Sequence, residues 1–474
     1  MSRYRTVAED MDNDDGSLDF SSVDIASRQA STAALQYISS PSPSSRPGPG
    51  PLQYLTLTLA LGGLQFVWSV ETGYGTPYLL SLGLKKSLLS LVWLAGPLSG
   101  LVTQPLVGAL SDRCMSRFGR RRPYIMGATL LVVLCLVVIG RHWWQVLAFY
   151  VLDFAINCIQ ACLRALLAQA WASRMIGVGN VVGYLLGFAD LPRLLGVLGD
   201  TQLKVLSMLA CLALMGSVCI TCWFTPEQPL RQAPSARGLT HMFRQISRAF
   251  GSLPMVVRRV CTVQLFSWIG WFPFLFYSTT YVAALSDHSD EAEGARAGSF
   301  AMFTYAMASL AFSLVLPWLG RLFNVRLAVM WMAGLAVFGV AMLMTVFVES
   351  VPSATLLIGV CGFSWAVTIW VPFSIIGEAI SKQSSGYALV GDAIPMHELG
   401  EHRPAMPVEA GTVLGIHNMY IVVPQFITAF ASSLIFAVFE RLGSVKHASE
   451  IAWVLRLGGV SSLVAVYFAY KLVN

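Results

Sequence analysis

Charge is what this sequence has least of. Only 12% of its 474 residues are Asp, Glu, Lys or Arg, about half the roughly 25% of a soluble domain. Such a surface cannot keep a chain of this size in water, and the 55% hydrophobic content points to lipid instead. The roughly ten-residue alternating strands of an outer-membrane barrel are also missing, whereas the apolar runs reach the ~20 residues that a helical span needs. The chain is therefore expected to be an all-α polytopic membrane protein. The net charge is +6 (31 Lys and Arg against 25 Asp and Glu), yet no continuous basic face is present, so no nucleic-acid partner is expected. No nucleophile–base constellation, phosphate-binding loop or metal-ligand cluster can be found, which leaves no machinery for hydrolytic or ATP-driven chemistry and no metal or cofactor. The nine cysteines lie mostly inside apolar runs, Cys135, Cys158, Cys162 and Cys211 among them, where they act as small hydrophobes. Cys219 and Cys222 form a CxxC within a span, and no disulfide framework is visible.

The apolar runs and their breaks place spans near 53 to 82, 88 to 110, 124 to 141, 144 to 167, 175 to 198, 203 to 224, 261 to 285, 297 to 319, 328 to 348, 354 to 379, 411 to 438 and 450 to 472. Residues 1–51 hold acidic patches and a Ser/Pro/Gly tract from Ser39 to Pro51, too polar to fold and read as a disordered cytosolic tail. No cleavable signal is recognised ahead of the first span. The loop after the second span carries Arg113, Arg117, Arg120, Arg121 and Arg122. The loop after the sixth carries Arg231, Arg237, Arg244, Arg248, Arg258 and Arg259. Positive charge stays inside, so these loops and both termini are expected in the cytosol. The basic loop 226–260 divides an N-terminal six-helix half, 52–225, from a C-terminal half, 261–474. A faint repeat supports this division: Pro105-Leu-Val-Gly108 leads into Ser111-Asp112-Arg113, and Pro317-Trp-Leu-Gly320 leads into Arg321 and Arg326. Two parallel six-helix repeats are the architecture of major facilitator transporters.

Several polar residues sit inside this apolar frame. Asp153, Asn157, Gln160 and Arg164 recur at i, i+4, i+7 and i+11. At about 100° per residue they fall within roughly 60° of one another, on one stripe of one helix. A charge at mid-membrane costs on the order of 2.5 to 3.5 kcal/mol, so the stripe predicts the wall of a polar pathway or, alternatively, an interhelical clasp. Asp153 and Arg164 are roughly 16 Å apart along the axis and cannot pair directly. One economical arrangement has Asp153 accepting a proton, Arg164 donating a bidentate fork to hydroxyls of a transported solute or to a carboxylate, and Asn157 and Gln160 bonding that solute between them. Glu71 lies deep in the first span beside Gly73, Gly75 and Pro77; it is a proton carrier or a structural partner of Arg164. His417 with Asn418 offers a proton shuttle or an interhelical hydrogen bond. The loop Gly108 to Pro123, with Asp112, Arg113, Gly119, Arg120, Arg121 and Arg122, goes beyond topogenic charge. Its glycines permit a tight turn, and Asp112 can pair with an Arg in a contact that breaks when the halves rock.

This loop, with Thr76-Pro77-Tyr78-Leu79, the stretch Trp93 to Leu106, Trp268-Ile-Gly-Trp271-Phe272-Pro273-Phe274 and Ile421-Val-Val-Pro424-Gln425, resembles the sucrose and α-glucoside proton symporters. These are glycoside-pentoside-hexuronide cation symporters of the major facilitator superfamily. The resemblance covers nearly everything from Leu52 onward. It implies twelve helices in two halves, a small sugar and protons as the transported species, and a monomer in the plasma membrane. It implies transport roles for Asp153 and Arg164, a place in the pathway for Gln425, and correspondence of Asp290 and Arg296 to charged residues at the outer start of span eight. Ala297 stands where plant members have Glu, and Lys86 where they have His. Glu71 matches the animal relatives, whereas plant carriers have Gln there.

One departure concerns the connection after span four. Family members have an acidic, proline-containing turn of roughly a dozen residues, whereas here Arg164-Ala-Leu-Leu167 runs through Ala168-Gln169 straight into Ala170-Trp171-Ala172. The leading expectation is a proton-coupled importer of sucrose, maltose or a related α-glucoside working by alternating access. A transporter-like sugar sensor, or an inactive paralogue or splice form with the shortened connection, is the alternative. A polytopic glycosyltransferase would need a lumenal acidic pair near a large loop, and none is seen.

Overall fold

The computed structural model describes residues 50–81, 83–111, 114–138, 145–164, 169–225, 251, 253–286, 291–393, 410–442 and 447–473. Among them there is no strand. The tail 1–49, Asp112, Arg113, residues 165–168, most of the central loop and Asp287 to Asp290 lie outside the described residues.

The helices are α1 (Pro51–Ser81), α2 (Lys86–Val92), α3 (Ala95–Ser111), α4 (Arg122–Val138), α5 (Gln145–Arg164), α6 (Gln169–Phe188), α7 (Leu191–Leu195), α8 (Gln202–Phe224), α9 (Met255–Ala283), α10 (Glu291–Leu322), α11 (Leu327–Met344), α12 (Val351–Ala393), α13 (Ala410–Leu442) and α14 (His447–Val473). Each expected span has its helix. Among the described residues, seven are long and apolar enough to cross a membrane by themselves, and the α6–α7 pair, bent by 84° at its break, makes up to eight if it is one span. This is an integral, multi-pass membrane protein.

Two spans differ from the sequence expectation in an informative way. Span two is broken at Trp93 and Leu94 into α2 and α3, where the apolar run gave no sign of a break because both halves are equally hydrophobic. Span ten continues to Ala393, because the polar residues beyond Glu378 read as loop yet contain no proline until Pro395. The expected tight turn of the basic loop is present: Gly119 has φ +110° and its N–H donates to Ser116 O at 3.1 Å, a conformation that only glycine adopts without strain.

Water is not there to drive these helices together, so close packing and interhelical hydrogen bonds hold them. A Cβ on Gly179 of α6 would stand 2.3 Å from the carbonyl oxygen of Gly62 in α1, and one on Gly270 of α9 would stand 2.7 Å from that of Gly458 in α14. Backbones touch at both crossings. Polar clasps flank the first: Gln65 Nε2 and Ser69 Oγ both donate to Asn180 Oδ1, at 2.9 and 3.0 Å, and Thr72 and Tyr184 share a hydroxyl hydrogen bond of 3.1 Å. Farther down α1, Thr221 of α8 donates to Thr56 O at 2.8 Å and accepts from Ala60 N–H at 3.1 Å. Thus α1 is fixed between α6 and α8, which sets the orientation of Glu71.

Candidate functional site

Glu71 is carried by α1 at its most buried stretch, and Asp153 by α5; they are 3% and 2% exposed. Their carboxyl groups lie close enough to interact electrostatically. Neither oxygen of Glu71 nor Oδ1 of Asp153 accepts a bond from a protein donor, and among the described residues no cation pairs with either. Buried carboxylates are normally paired, so this pair lacks the usual compensation. The side chain of Arg164, the last residue of α5, lies outside the described residues.

The break between α2 and α3 brings the beginning of α3 to the same place. A Cβ on Gly96 would lie 3.6 Å from Asp153 Oδ1 and 3.8 Å from Oε1 of Gln425, which is on α13. Gln425 is half-buried and reaches this point from the C-terminal part of the chain. Asn157 does not face an open path with its amide: Nδ2 donates to Ser99 Oγ at 2.8 Å and to the carbonyl of Asp153 at 3.0 Å, while Ser99 donates to Gly96 O at 2.8 Å. It ties α5 to α3 and thereby holds Asp153 beside Gly96. Gln160 is half-buried on the same helix.

One turn from the carboxyl pair, toward the C-terminal end of α1, the indole of Trp93 packs on Gly75 and stacks on Phe276 of α9 with centroids 4.4 Å apart and planes 10° from parallel. Thr76 links the two: Trp93 Nε1–H donates to its hydroxyl at 3.2 Å, and that hydroxyl donates to Phe276 O at 2.9 Å. Further ties between N- and C-terminal spans lie at the same end. Ser87 N–H and Oγ–H donate to the Glu440 carboxylate at 3.2 and 3.1 Å, Ser433 donates to Ser87 O at 2.8 Å, and Arg296 pairs with Asp190 at 3.0 Å. Arg296 is therefore placed at a junction, and its partner, Asp190, was not singled out from sequence because it stands alone at the bend before α7.

Other residues expected from sequence are spread elsewhere. His417 is fully buried among α9, α12 and α13; its Nε2 lies 3.1 Å from Gln264 Nε2 and its ring is edge-on to Phe373. Asn418, its neighbour, is half-buried. In the basic loop, Arg122 donates to Thr225 O at the end of α8, while Arg120 and Arg121 are half-buried beside it. Asp112, Arg113 and Asp290 lie outside the described residues. Sequence reasoning did not single out Gly96, Thr76, Trp93 and Phe276 as site residues; the signal available for the first three was their place in the stretches that carry the family resemblance.

The Major Facilitator Superfamily matches residues 57–394. A general α-glucoside permease of Schizosaccharomyces pombe is 33% identical, covering 90% of this chain and 95% of its own. The sucrose transport protein SUT5 of Oryza sativa is 26% identical over 81% of this chain and 82% of its own. Among solved structures, a D-xylose–proton symporter superposes with a TM-score of 0.59 at 15% identity, covering 90% of this chain and 98% of that one, which speaks to the fold. These relatives are permeases and transporters rather than enzymes. With its helices packed as described and a match spanning most of its length, the chain belongs to the major facilitator superfamily.

Proposed function

We propose that the protein is a secondary transporter that moves an α-glucoside such as sucrose or maltose together with a proton. The observation that carries this reading is the uncompensated carboxyl pair Glu71–Asp153, met by Gln425 from the other part of the chain at Gly96. Two carboxyl groups without a cation between them can hold one proton in common, and the adjoining amide can bond a sugar hydroxyl. The site is built from N- and C-terminal elements of a single chain, so a monomer suffices, and relative motion of the halves 52–225 and 261–474 would open it to either side. Arginine placement supports cytosolic termini, which would set the Trp93–Phe276 stack on the outer side of what we take to be the plasma membrane. In that orientation the ties between N- and C-terminal spans would lie on the outer side.

Coupling follows if the protonated pair binds sugar better than the ionised one, because a ligand shifts an equilibrium only by its differential affinity. The relatives named for α-glucoside and sucrose transport support the choice of cargo. The deciding experiment is uptake of labelled sucrose and maltose into vesicles containing the purified chain, with and without an inward pH gradient. Gradient-stimulated uptake with proton entry is expected; sugar binding without uptake would instead favour a sensor or a non-transporting form. The shortened connection between Arg164 and Ala170 is the sequence feature that motivates that second outcome.

A further inference from the structure

We infer that α7 and the 3-10 turn that follows it, Gly196–Leu198, form an arm seated in the membrane surface, with Leu194 and Val197 at the acyl-chain boundary and the Arg193 guanidinium among lipid phosphates. The geometry comes first. α6 has 20 residues, a length of about 30 Å and so enough to cross the hydrocarbon core without help. The chain then turns by 84° between Phe188 and Leu191, which lays the next segment nearly in the membrane plane. It has no room to dive back, because α8 starts at Gln202 and crosses again with 23 residues.

The two sides of the arm differ in chemistry. One side is fastened to the protein: Leu191 is buried, its N–H donates to Gln202 Oε1 at 3.0 Å, and Leu198 packs against the core. The other side is open, with Leu194 70% exposed and Val197 fully so. These two are three positions apart and share a face. Exposed apolar residues lead up to them, Leu185 and Phe188 on α6 and Met208 and Leu212 on α8, so the lipid-facing surface of the crossing helices continues into the arm. The charges at its two ends are matched within the protein, Asp190 by Arg296 and Asp200 by Lys204. Arg193 is exposed, and among the described residues no carboxylate pairs with it. An arginine there lays its stem along apolar surface and holds its charge at headgroup level, where phosphate oxygens match its fork. A segment this short would not hold to a bilayer alone, but two crossing helices tether it there. Asp190 immediately precedes the arm, so the same seat fixes the height of the carboxylate that pairs with Arg296.

The test does not need transport activity and stands apart from the choice of cargo. Val197→Cys in a cysteine-free background, carrying a polarity-sensitive fluorophore, is reconstituted into phosphatidylcholine vesicles. A lipid nitroxide at the top of the acyl chain should quench the label about two-fold or more better than one at the chain end, as for an element lying about 5–10 Å below the surface, and aqueous iodide should quench it weakly. A label at Leu212→Cys, midway along α8, should show the opposite order of the two nitroxides. Arg193→Glu should weaken the shallow quenching at Val197→Cys, whereas Arg193→Lys should keep it, because an ammonium also reaches phosphate. Strong iodide quenching with none from lipid would place the arm in water, and protection from both would mean that another protein surface covers it; either result overturns the inference. The unaltered chain gives a second reading: a phospholipid with a photoreactive group near its head should crosslink within residues 191–198, and adducts on α6 and α8 with none on the arm would count against it.

Discussion

If Glu71 and Asp153 hold one proton in common, as proposed above, the two residues act as one functional unit. Asp153→Asn is expected to lower proton-driven uptake by about two orders of magnitude or more, and Glu71→Gln to abolish its dependence on the pH gradient while leaving sugar exchange across the membrane measurable. The double variant should be no worse than Asp153→Asn alone, since residues acting as a unit are not additive; parallel flux measurements of labelled sugar and protons check all three. Much of this pair was legible in the sequence: a carboxyl group at a costly depth signals use whichever helix carries it. That the two meet was not legible, because α1 and α5 are 82 positions apart at these residues (153 − 71) and hydrophobic runs carry no information on which helices touch. Spacing likewise put Asn157 on the right face, yet its amide is engaged by Ser99 and the Asp153 carbonyl, a partner on α3 that the periodicity of α5 could not reveal.

Individual elements hold the site through a few polar clamps. Gln202, at the start of α8, donates from Nε2 to the carbonyls of Leu186, Gly187 and Ala189, the shortest at 2.7 Å, and accepts from Leu191 N–H at 3.0 Å. It thereby adds side-chain bonds to backbone groups at the 84° bend between α6 and α7, where Leu191 N–H also donates to Ala189 O and the Tyr74 hydroxyl to Gly187 O. Gln202→Ala is expected to cost about 1–3 kcal/mol, read as a lower melting temperature of the detergent-solubilised protein, with KM little changed in the folded fraction. Gly119→Ala should cost a similar ~1–3 kcal/mol by forcing a side chain into a positive-φ turn. A larger intrusion at Gly179, for example Gly179→Leu, should prevent α6 from seating on α1 and leave no folded protein by gel filtration.

Across the whole molecule, the described ties between N- and C-terminal spans include the Trp93–Thr76–Phe276 relay, the Ser87–Glu440 and Ser87–Ser433 bonds and the Asp190–Arg296 pair, all toward the same end of the bundle. Each is a contact that must break when that end opens, so each biases the equilibrium between the two states. Thr76→Val keeps the shape of the side chain and deletes the relay. Removing a hydrogen bond worth about 0.5–1.5 kcal/mol should shift the population several-fold toward the open state. The measurement is the labelling rate, by a membrane-impermeant maleimide added outside, of a cysteine placed at Phe149, which packs against Gly75 beside Trp93, in a cysteine-free background; a faster rate is expected, and an unchanged rate would mean that the relay does not hold that end shut.

The sequence by itself determined that the chain lives in lipid, where most of its spans lie, where the turn at Gly119 falls and which spans carry ionisable groups, because hydropathy, charge and glycine geometry act locally; the break in span two and the extension of span ten lay beyond it. The tertiary structure alone decided which of those groups meet. Glu71 faces Asp153, Gln425 arrives at Gly96, and Thr76 bridges Trp93 to Phe276 because small residues let particular helices approach and a break in span two turns one of them toward the pair. Such contacts depend on how apolar surfaces of similar hydrophobicity fit together, and shape complementarity of that kind is a property of pairs of helices that no single segment of sequence contains.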